Sequence, residues 1–381
     1  MKKVLIVTTI SGFLPQFEEN DVRILQQYGY EVHYASNFRN PVYEVDEAAL
    51  CKEGLVLHQI DIRKSPQNVC ANLKAFFALR KIIRTEQIDL VHCHNPMGGV
   101  LGRLAAFAQR RRVLVFYTAH GFHFYAGAPA KYWILYFTAE RLLAHITDRL
   151  ITINREDFLR AERFHLRRGG RVAQIPGVGL NVAKYATPAR TRAEVRREIG
   201  VPGDAFYILS VGELNRNKNH RVILQAIAGV ERRDIYYGIC GRGELADELA
   251  RTAEEYGLQD RFRLLGFRND IPDMLAAADC FAFPSEREGL GMAALEAMAA
   301  GLPVISSDCR GTREYMKNGI NGIVCRTGMA QEYAMAIRML QEDPDLRTRM
   351  SQAGVRTAEA FGLPVTDRIM RELYGEVGKA G

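Results

Sequence analysis

An alternation that runs once and then starts again most constrains what this 381-residue chain can fold into. Short apolar, strand-like runs at 3–9, 31–35, 55–59, 90–93, 113–118 and 149–153 are separated by amphipathic helical stretches, among them 18–27, 72–84 and 132–143. The pattern restarts at 207–211 and continues through 236–240, 262–264, 280–283, 304–307 and 322–325. Alternation of this kind predicts α/β layers, parallel sheets with helices on both faces. A chain this long suits two cores rather than one. We expect doubly wound, Rossmann-like domains at 1–185 and 186–363, with the linker near 184–190 around Pro188 and a closing segment at 364–381. Facing domains of this type bind ligands at the carboxyl ends of their strands, in the cleft between them.

One stretch of the second half carries the most chemistry. Phe281-Ala282-Phe283-Pro284 reads as a buried strand stopped by proline, Gly301 and Pro303 end the helix that follows, and another strand starts at Val304. Glu288 then falls in the loop before the helix. Glu296 falls in its second turn, roughly 7 Å along the axis at 1.5 Å per residue. Between them Gly289-Leu290-Gly291 opens the helix and leaves backbone N–H groups free for an anion. Two carboxylates beside an anion site are better placed to accept hydrogen bonds from hydroxyls on either side of it. A ligand with hydroxyls, diphosphate and hydroxyls in sequence is a nucleotide sugar.

Other motifs sit at the same kind of strand end. Gly212 is followed by Arg216 and Lys218, two cations where a leaving diphosphate gathers charge. Gly241 and Gly243 form a Gly-x-Gly turn, but Ala246 replaces the third glycine of the dinucleotide pattern, which argues against a nicotinamide enzyme. In the first half, Gly12 follows strand one. His120 and His123 follow a strand at 113–118, where an imidazole can hydrogen-bond a reacting sugar. His92 and His94 share one face of a strand, yet two ligands without an evident third argue against zinc. The Asp-x-Asp triplet Asp343-Pro344-Asp345 reads as a helix start rather than a metal clamp. We therefore expect no essential metal and no cofactor.

Composition narrows the class. Hydrophobic residues make up 48% and charged residues 25%, as in ordinary globular proteins. The apolar run at 4–7 is too short for a signal peptide, and no run of about 18–20 apolar residues exists to span a membrane. Seven cysteines, scattered and without a Cys-x-x-Cys pair, point to a reduced, cytoplasmic chain. Residues 1–185 carry a net charge of +9 and the remainder −2. A basic half suits an anionic partner: nucleic acid, anionic lipid or a phosphorylated acceptor. Aromatics and cations mixed over 122–149, with Arg110-Arg111-Arg112 close by, favour lipid headgroups.

The segment 285–303 resembles the nucleotide-sugar signature of family-four retaining glycosyltransferases, which have the GT-B fold. The resemblance implies that Glu288 meets the donor sugar and Glu296 the ribose. It also implies that Lys218 binds diphosphate, that the loop around Phe267 reads the base, that Gly12 lies near the donor phosphates and that His120 acts at the reacting centre. Glu213 stands where the family often has arginine, so that role either passes to Arg216 or is lost. His94 and His123 are expected on the acceptor side. The closing helix is expected to cross back to the first domain. Residues 120–129, 132–133, 150–157 and 175–179 resemble bacterial transferases of capsule, exopolysaccharide and other lipid-linked glycan assembly. The implied activity is metal-independent, retaining transfer of a hexose or N-acetylhexosamine from a UDP-sugar to a polyprenyl-diphosphate-linked saccharide. It would take place peripherally, on the inner face of the plasma membrane. The alternatives are a UDP-sugar 2-epimerase of the same fold and a non-catalytic nucleic-acid-binding protein, which leaves the two glutamates unexplained.

Overall fold

The computed structural model describes residues 1–39, 41, 45–230 and 232–379. Two compact units divide the chain, one of 1–178 with 364–381 and one of 179–363. Each is built on a single parallel sheet. The first sheet has β1 (Lys2–Val7), β2 (Tyr30–Ser36), β3 (Val56–Gln59), β4 (Leu90–His94), β5 (Leu114–Ala119), β6 (Arg149–Thr152) and β7 (Arg171–Gln174). Its strands run in the order β3-β2-β1-β4-β5-β6-β7. The second has β8 (Phe206–Val211), β9 (Ile235–Cys240), β10 (Phe262–Leu264), β11 (Cys280–Phe283), β12 (Val304–Ser307) and β13 (Gly322–Cys325), in the order β10-β9-β8-β11-β12-β13. Central strands covered on both faces must be apolar throughout, and Val4-Leu5-Ile6-Val7 of β1 is wholly buried.

Both sheets reverse their winding next to the first strand of the unit, between β1 and β4 and between β8 and β11. At such a point the loops leaving two neighbouring strands diverge and open a crevice at their carboxyl ends. In the second unit the diverging loops carry Gly212–Lys218 and Ser285–Gly291. In the first they carry Ser11–Phe13 and the start of the helix Pro96–Phe107. That helix lies hard against the sheet because of its glycines. A Cβ at Gly99 would stand 2.5 Å from the Tyr117 ring, and one at Gly102 2.4 Å from Cys93 Sγ.

The structure differs from the sequence reading in several places. The unit boundary falls at 178/179, not 185/186, because Leu180 exchanges backbone hydrogen bonds with Phe361 and Leu363 and so ties its segment to the second unit. The short helix Val182–Ala186, expected in the linker, packs on Met292–Ala299. β7 was not anticipated, since an edge strand of Arg171-Val172-Ala173-Gln174 lacks a long apolar run. The expected helix at 132–143 is a helical run from Ala130 to Ala144 interrupted by a π-helical turn at Trp133–Phe137. A second π-helical turn, Leu14–Glu18, leads into the helix Glu19–Gln27. One expectation holds without change: Asp343 starts and caps the helix Pro344–Glu359, its carboxylate accepting from Leu346 N at 2.8 Å.

The last helix, Leu363–Lys379, joins the first unit from Pro364 onward. Tyr374 is its anchor. The phenol stacks on Phe116 and reaches Asp21 Oδ2 at 2.9 Å and His92 Nδ1 at 2.8 Å. Glu376 pairs with Arg149 and Arg171 at the strand ends opposite the crevice.

Candidate active site

In the second unit, two loops from the switch point meet through one ion pair. Lys218 Nζ lies 2.6 Å from Glu288 Oε1 and 5.2 Å from the centre of the Phe283 ring. The loops are stitched together on either side: Glu286 N donates to Asn217 O at 2.8 Å, and Asn217 Nδ2 donates to Arg287 O at 3.0 Å. Asn215 sets the lysine's turn by accepting from Lys218 N at 3.0 Å. Gly212 leaves room for the lysine stem, since a Cβ there would stand 3.2 Å from Lys218 Cε. Both partners are about one-fifth exposed, so the pair faces solvent at the strand ends without being dissolved in it.

The helix Met292–Ala299 starts at Gly291, whose φ of 91° favours glycine. A Cβ there would also strike Phe283 at 2.8 Å. Tyr315 braces the same point by donating to Gly291 O at 3.0 Å. Glu296 lies in the second turn of this helix, as its spacing predicts. Burial raises its pKa, opposed by a hydrogen bond from the Tyr185 hydroxyl. Tyr185 sits on Val182–Ala186, the helix that the sequence reading assigned to a linker. No local motif marks Tyr185; only the packing of two helices distant in sequence brings it to Glu296.

The remaining expected donor residues divide. Gly241 and Gly243 are explained by packing, because a Cβ at either would overlap the backbone of Gly212 or Leu214, at 1.8 and 2.4 Å. They hold the Gly212 loop in place. Gly289 and Leu290 lie in the Glu288 loop, with Leu290 buried. Phe267 is 52% exposed beside Arg242, an apolar ring left open at the end of β10. Arg216 is exposed and makes no ion pair among the described residues, so the expected two-cation clamp has one formed arm, Lys218.

In the first unit, three segments converge at the carboxyl ends of β1, β4 and β5. Gly12 is buried in the loop after β1, which Tyr34 holds by donating to Ser11 O at 2.6 Å. Phe13 from this loop sets its ring edge-on to His120 with centroids 4.9 Å apart. His94 ends β4 and His120 follows β5; His94 Nδ1 and His120 Nε2 are 3.2 Å apart. Glu18 completes the group, with Oε1 3.3 Å from His94 Nδ1 and 3.4 Å from His120 Nε2. Burial lowers the pKa of His120 to about 4, so the ring is neutral at physiological pH and offers a lone pair. Burial also opposes the charge on Glu18, but attraction to His94 and His120 outweighs it and holds the carboxyl below its ordinary range. Behind this group, burial and the Glu18 charge push Asp21 well above the usual range. His92 is spent on structure, between Tyr374 and Thr118. His123 lies apart, its ring 4.6 Å from Tyr136. The sequence reading missed Glu18 as a site residue; its place depends on the π-helical turn Leu14–Glu18 that it ends.

Residues 191–357 match the model of glycosyl transferases group 1, and residues 22–176 match that of glycosyltransferase family 4. EpsD of Bacillus subtilis (strain 168), itself an inferred glycosyltransferase, is 37% identical over 377 residues, which cover 98% of this chain and 96% of EpsD. An Escherichia coli enzyme named UDP-Gal:alpha-D-GlcNAc-diphosphoundecaprenol alpha-1,3-galactosyltransferase is 29% identical over 309 residues, 80% of this chain and 79% of its own. Among solved structures, Anabaena HepE in complex with UDP and glucose superposes with a TM-score of 0.77 at 22% identity, covering 98% of this chain and all of HepE. The lipopolysaccharide glycosyltransferase WaaG gives 0.72 at 16% identity, over 98% and 99% of the two chains. The fold is therefore GT-B, and the chain belongs to the group 1, family 4 glycosyltransferases.

Proposed function

We propose that this enzyme transfers a hexose or N-acetylhexosamine, with retention of configuration, from a UDP-sugar to a saccharide carried on polyprenyl diphosphate. The reading rests on the Lys218–Glu288 pair at the β8/β11 switch point. A lysine restrained by a carboxylate and an aromatic face is positioned before the donor arrives. A diphosphate then competes for its charge while Glu288 is released to a sugar hydroxyl. Stabilising charge as it develops, with little reorganisation, is what lowers a barrier. Glu296 and Tyr185 supply an acceptor and a donor for ribose hydroxyls. Neutral His120 offers its lone pair to the transferring sugar, and the leaving phosphate assists deprotonation of the acceptor. Charge is neutralised by Lys218, Arg216 and the helix at Gly291, without an essential metal.

The choice of UDP and of a lipid-linked acceptor is supported by the Escherichia coli relative, whose name states both. A face of the first unit supports work at a membrane. Ile134, Leu135 and Leu142 are 74%, 56% and 65% exposed, and exposed Lys131 and Arg141 flank them on the same helical run. Of the aromatics that suggested this surface, Phe124 is buried in the core, whereas Tyr132, Trp133, Tyr136 and Phe137 lie half-buried on the same helical run. No helix among the described residues is long and apolar enough to cross a membrane, which suits attachment from one side, on the inner leaflet.

The test is a panel of UDP- and GDP-sugars with and without a polyprenyl-diphosphate N-acetylhexosamine acceptor, read by nucleotide release and product mass. Acceptor-dependent release from one UDP-sugar is expected. Conversion of donor alone to an epimer would replace transfer with the 2-epimerase reading.

A further inference from the structure

Three atoms able to ligate a metal surround one point in the first unit. Glu18 Oε1, His94 Nδ1 and His120 Nε2 form a triangle with sides of 3.2, 3.3 and 3.4 Å. Zinc–ligand bonds of about 2.0–2.1 Å at tetrahedral angles separate any two ligands by roughly 3.3–3.4 Å. The triangle thus has the dimensions of one face of such a coordination shell. A second observation points the same way. Glu18 is 6% exposed, and its Oε1 makes no hydrogen bond among the described residues, although two ring nitrogens lie within 3.4 Å. One N–H is taken up between His94 Nδ1 and His120 Nε2, and an under-satisfied buried acceptor is costly. A cation at the centre would satisfy all three atoms once that proton is displaced. The sequence left the histidines of β4 without a third ligand; Glu18 from the π-helical turn and His120 after β5 provide it. His92 takes no part, its two nitrogens being engaged by Tyr374 and Thr118.

We propose that Glu18, His94 and His120 bind one divalent first-row transition ion of the zinc class, with a fourth position open, and that the ion masks His120 and reversibly arrests transfer. The masking rests on the function proposed above; the binding does not. Two imidazoles and a carboxylate suit zinc and its neighbours in the first row rather than Mg²⁺.

The experiment titrates the metal-free, full-length chain with Co²⁺, followed by visible absorption, and then displaces the Co²⁺ with Zn²⁺. One Co²⁺ per chain with a four-coordinate spectrum is expected. Glu18→Gln, which keeps the side chain's shape, and His94→Gln should each weaken binding by about tenfold or more. His145→Ala should leave it unchanged; His145 stacks with His165 on the surface and is the obvious stray site. No spectrum, a spectrum that survives Glu18→Gln, or one lost in His145→Ala overturns the site. Nucleotide release should fall along the same Zn²⁺ curve and return with EDTA. Zinc that binds while turnover continues overturns the masking. Because Co²⁺ binding is read without sugar nucleotide, a chain with no transferase activity would refute the functional reading and leave the metal result standing.

Discussion

Lys218 meets Glu288 directly, which makes the two residues separable in their effects. On the proposed assignment, loss of Glu288 removes a partner for the donor sugar but leaves the lysine free for diphosphate. On the same assignment, loss of Glu296 removes a partner for the ribose and takes the hydrogen-bond partner from the half-buried Tyr185 hydroxyl. We expect Glu296→Ala to weaken UDP binding and Glu288→Ala mainly to slow transfer, measured by calorimetry and by turnover; unchanged UDP affinity in Glu296→Ala would remove the ribose assignment. Lys218→Ala should lower kcat by about 10²–10³, the usual cost of one electrostatic stabiliser. EDTA should leave that turnover intact or raise it. A chelated enzyme that stops and recovers with Mg²⁺ or Mn²⁺ would show that diphosphate charge is neutralised by a metal instead.

Among the elements, short glycine loops do more positioning than any helix. Gly241 lets its turn lie against Gly212, and Gly212 in turn leaves space for Lys218. Gly241→Ala should therefore act on both stability and binding. Forcing a methyl against a backbone oxygen costs about 1–3 kcal/mol by overpacking, or several degrees of thermal midpoint in the second unit, with weaker UDP binding. A variant of wild-type stability and affinity would mean that the two loops do not depend on each other. These elements also show how far the sequence could be read. The strands around β8 and β11, the loop placement of Glu288 and the helical placement of Glu296 were legible, because buried parallel strands and a Gly-started helix leave strong local patterns. Tyr185 and Glu18 were not. Each is brought in by geometry that local pattern does not record: the packing of helices over 100 residues apart in sequence, and one extra residue in a π-helical turn. The linker was misplaced for a related reason, since Pro188 reads as a break while Leu180 pairs with Leu363. Of the aromatics from which the membrane-type face was expected, Phe124 is buried while Tyr132, Trp133, Tyr136 and Phe137 are half-buried, because composition does not tell which side of a helix a ring occupies.

For the molecule as a whole, charge and burial set the response to solution conditions. The net charge of +9 over residues 1–185 and the Ile134–Leu135–Leu142 face together predict binding to anionic liposomes that salt reverses, each cation near the surface contributing about 1 kcal/mol within a Debye length of about 10 Å at 0.1 M salt. Sedimentation should show this; equal binding to neutral vesicles, or none at low salt, would favour an acceptor in solution. Acid should destabilise the fold. Burial holds His92 well below its ordinary 6.5, His120 at about 4 and His220 at about 3, and unfolding restores all three. From pH 6.5 down to those values the unfolded chain binds more protons, so stability is full above 6.5 and falls as pH falls. The thermal midpoint should drop between pH 7 and 5, with a shallower slope in His220→Gln; a midpoint that rises on acidification would contradict it. The closing segment carries a different consequence. The second unit is continuous in sequence, from 179 to 363, whereas the first is not complete until 364–381 has been added. During synthesis at about 5–20 residues per second, residues 1–178 must wait roughly 10–40 s for Tyr374 to reach Asp21 and His92. The order of birth is thus the reverse of the order of completion: the half made last can close first. Until the final helix leaves the ribosome, Asp21 and His92 lack the phenol that binds both.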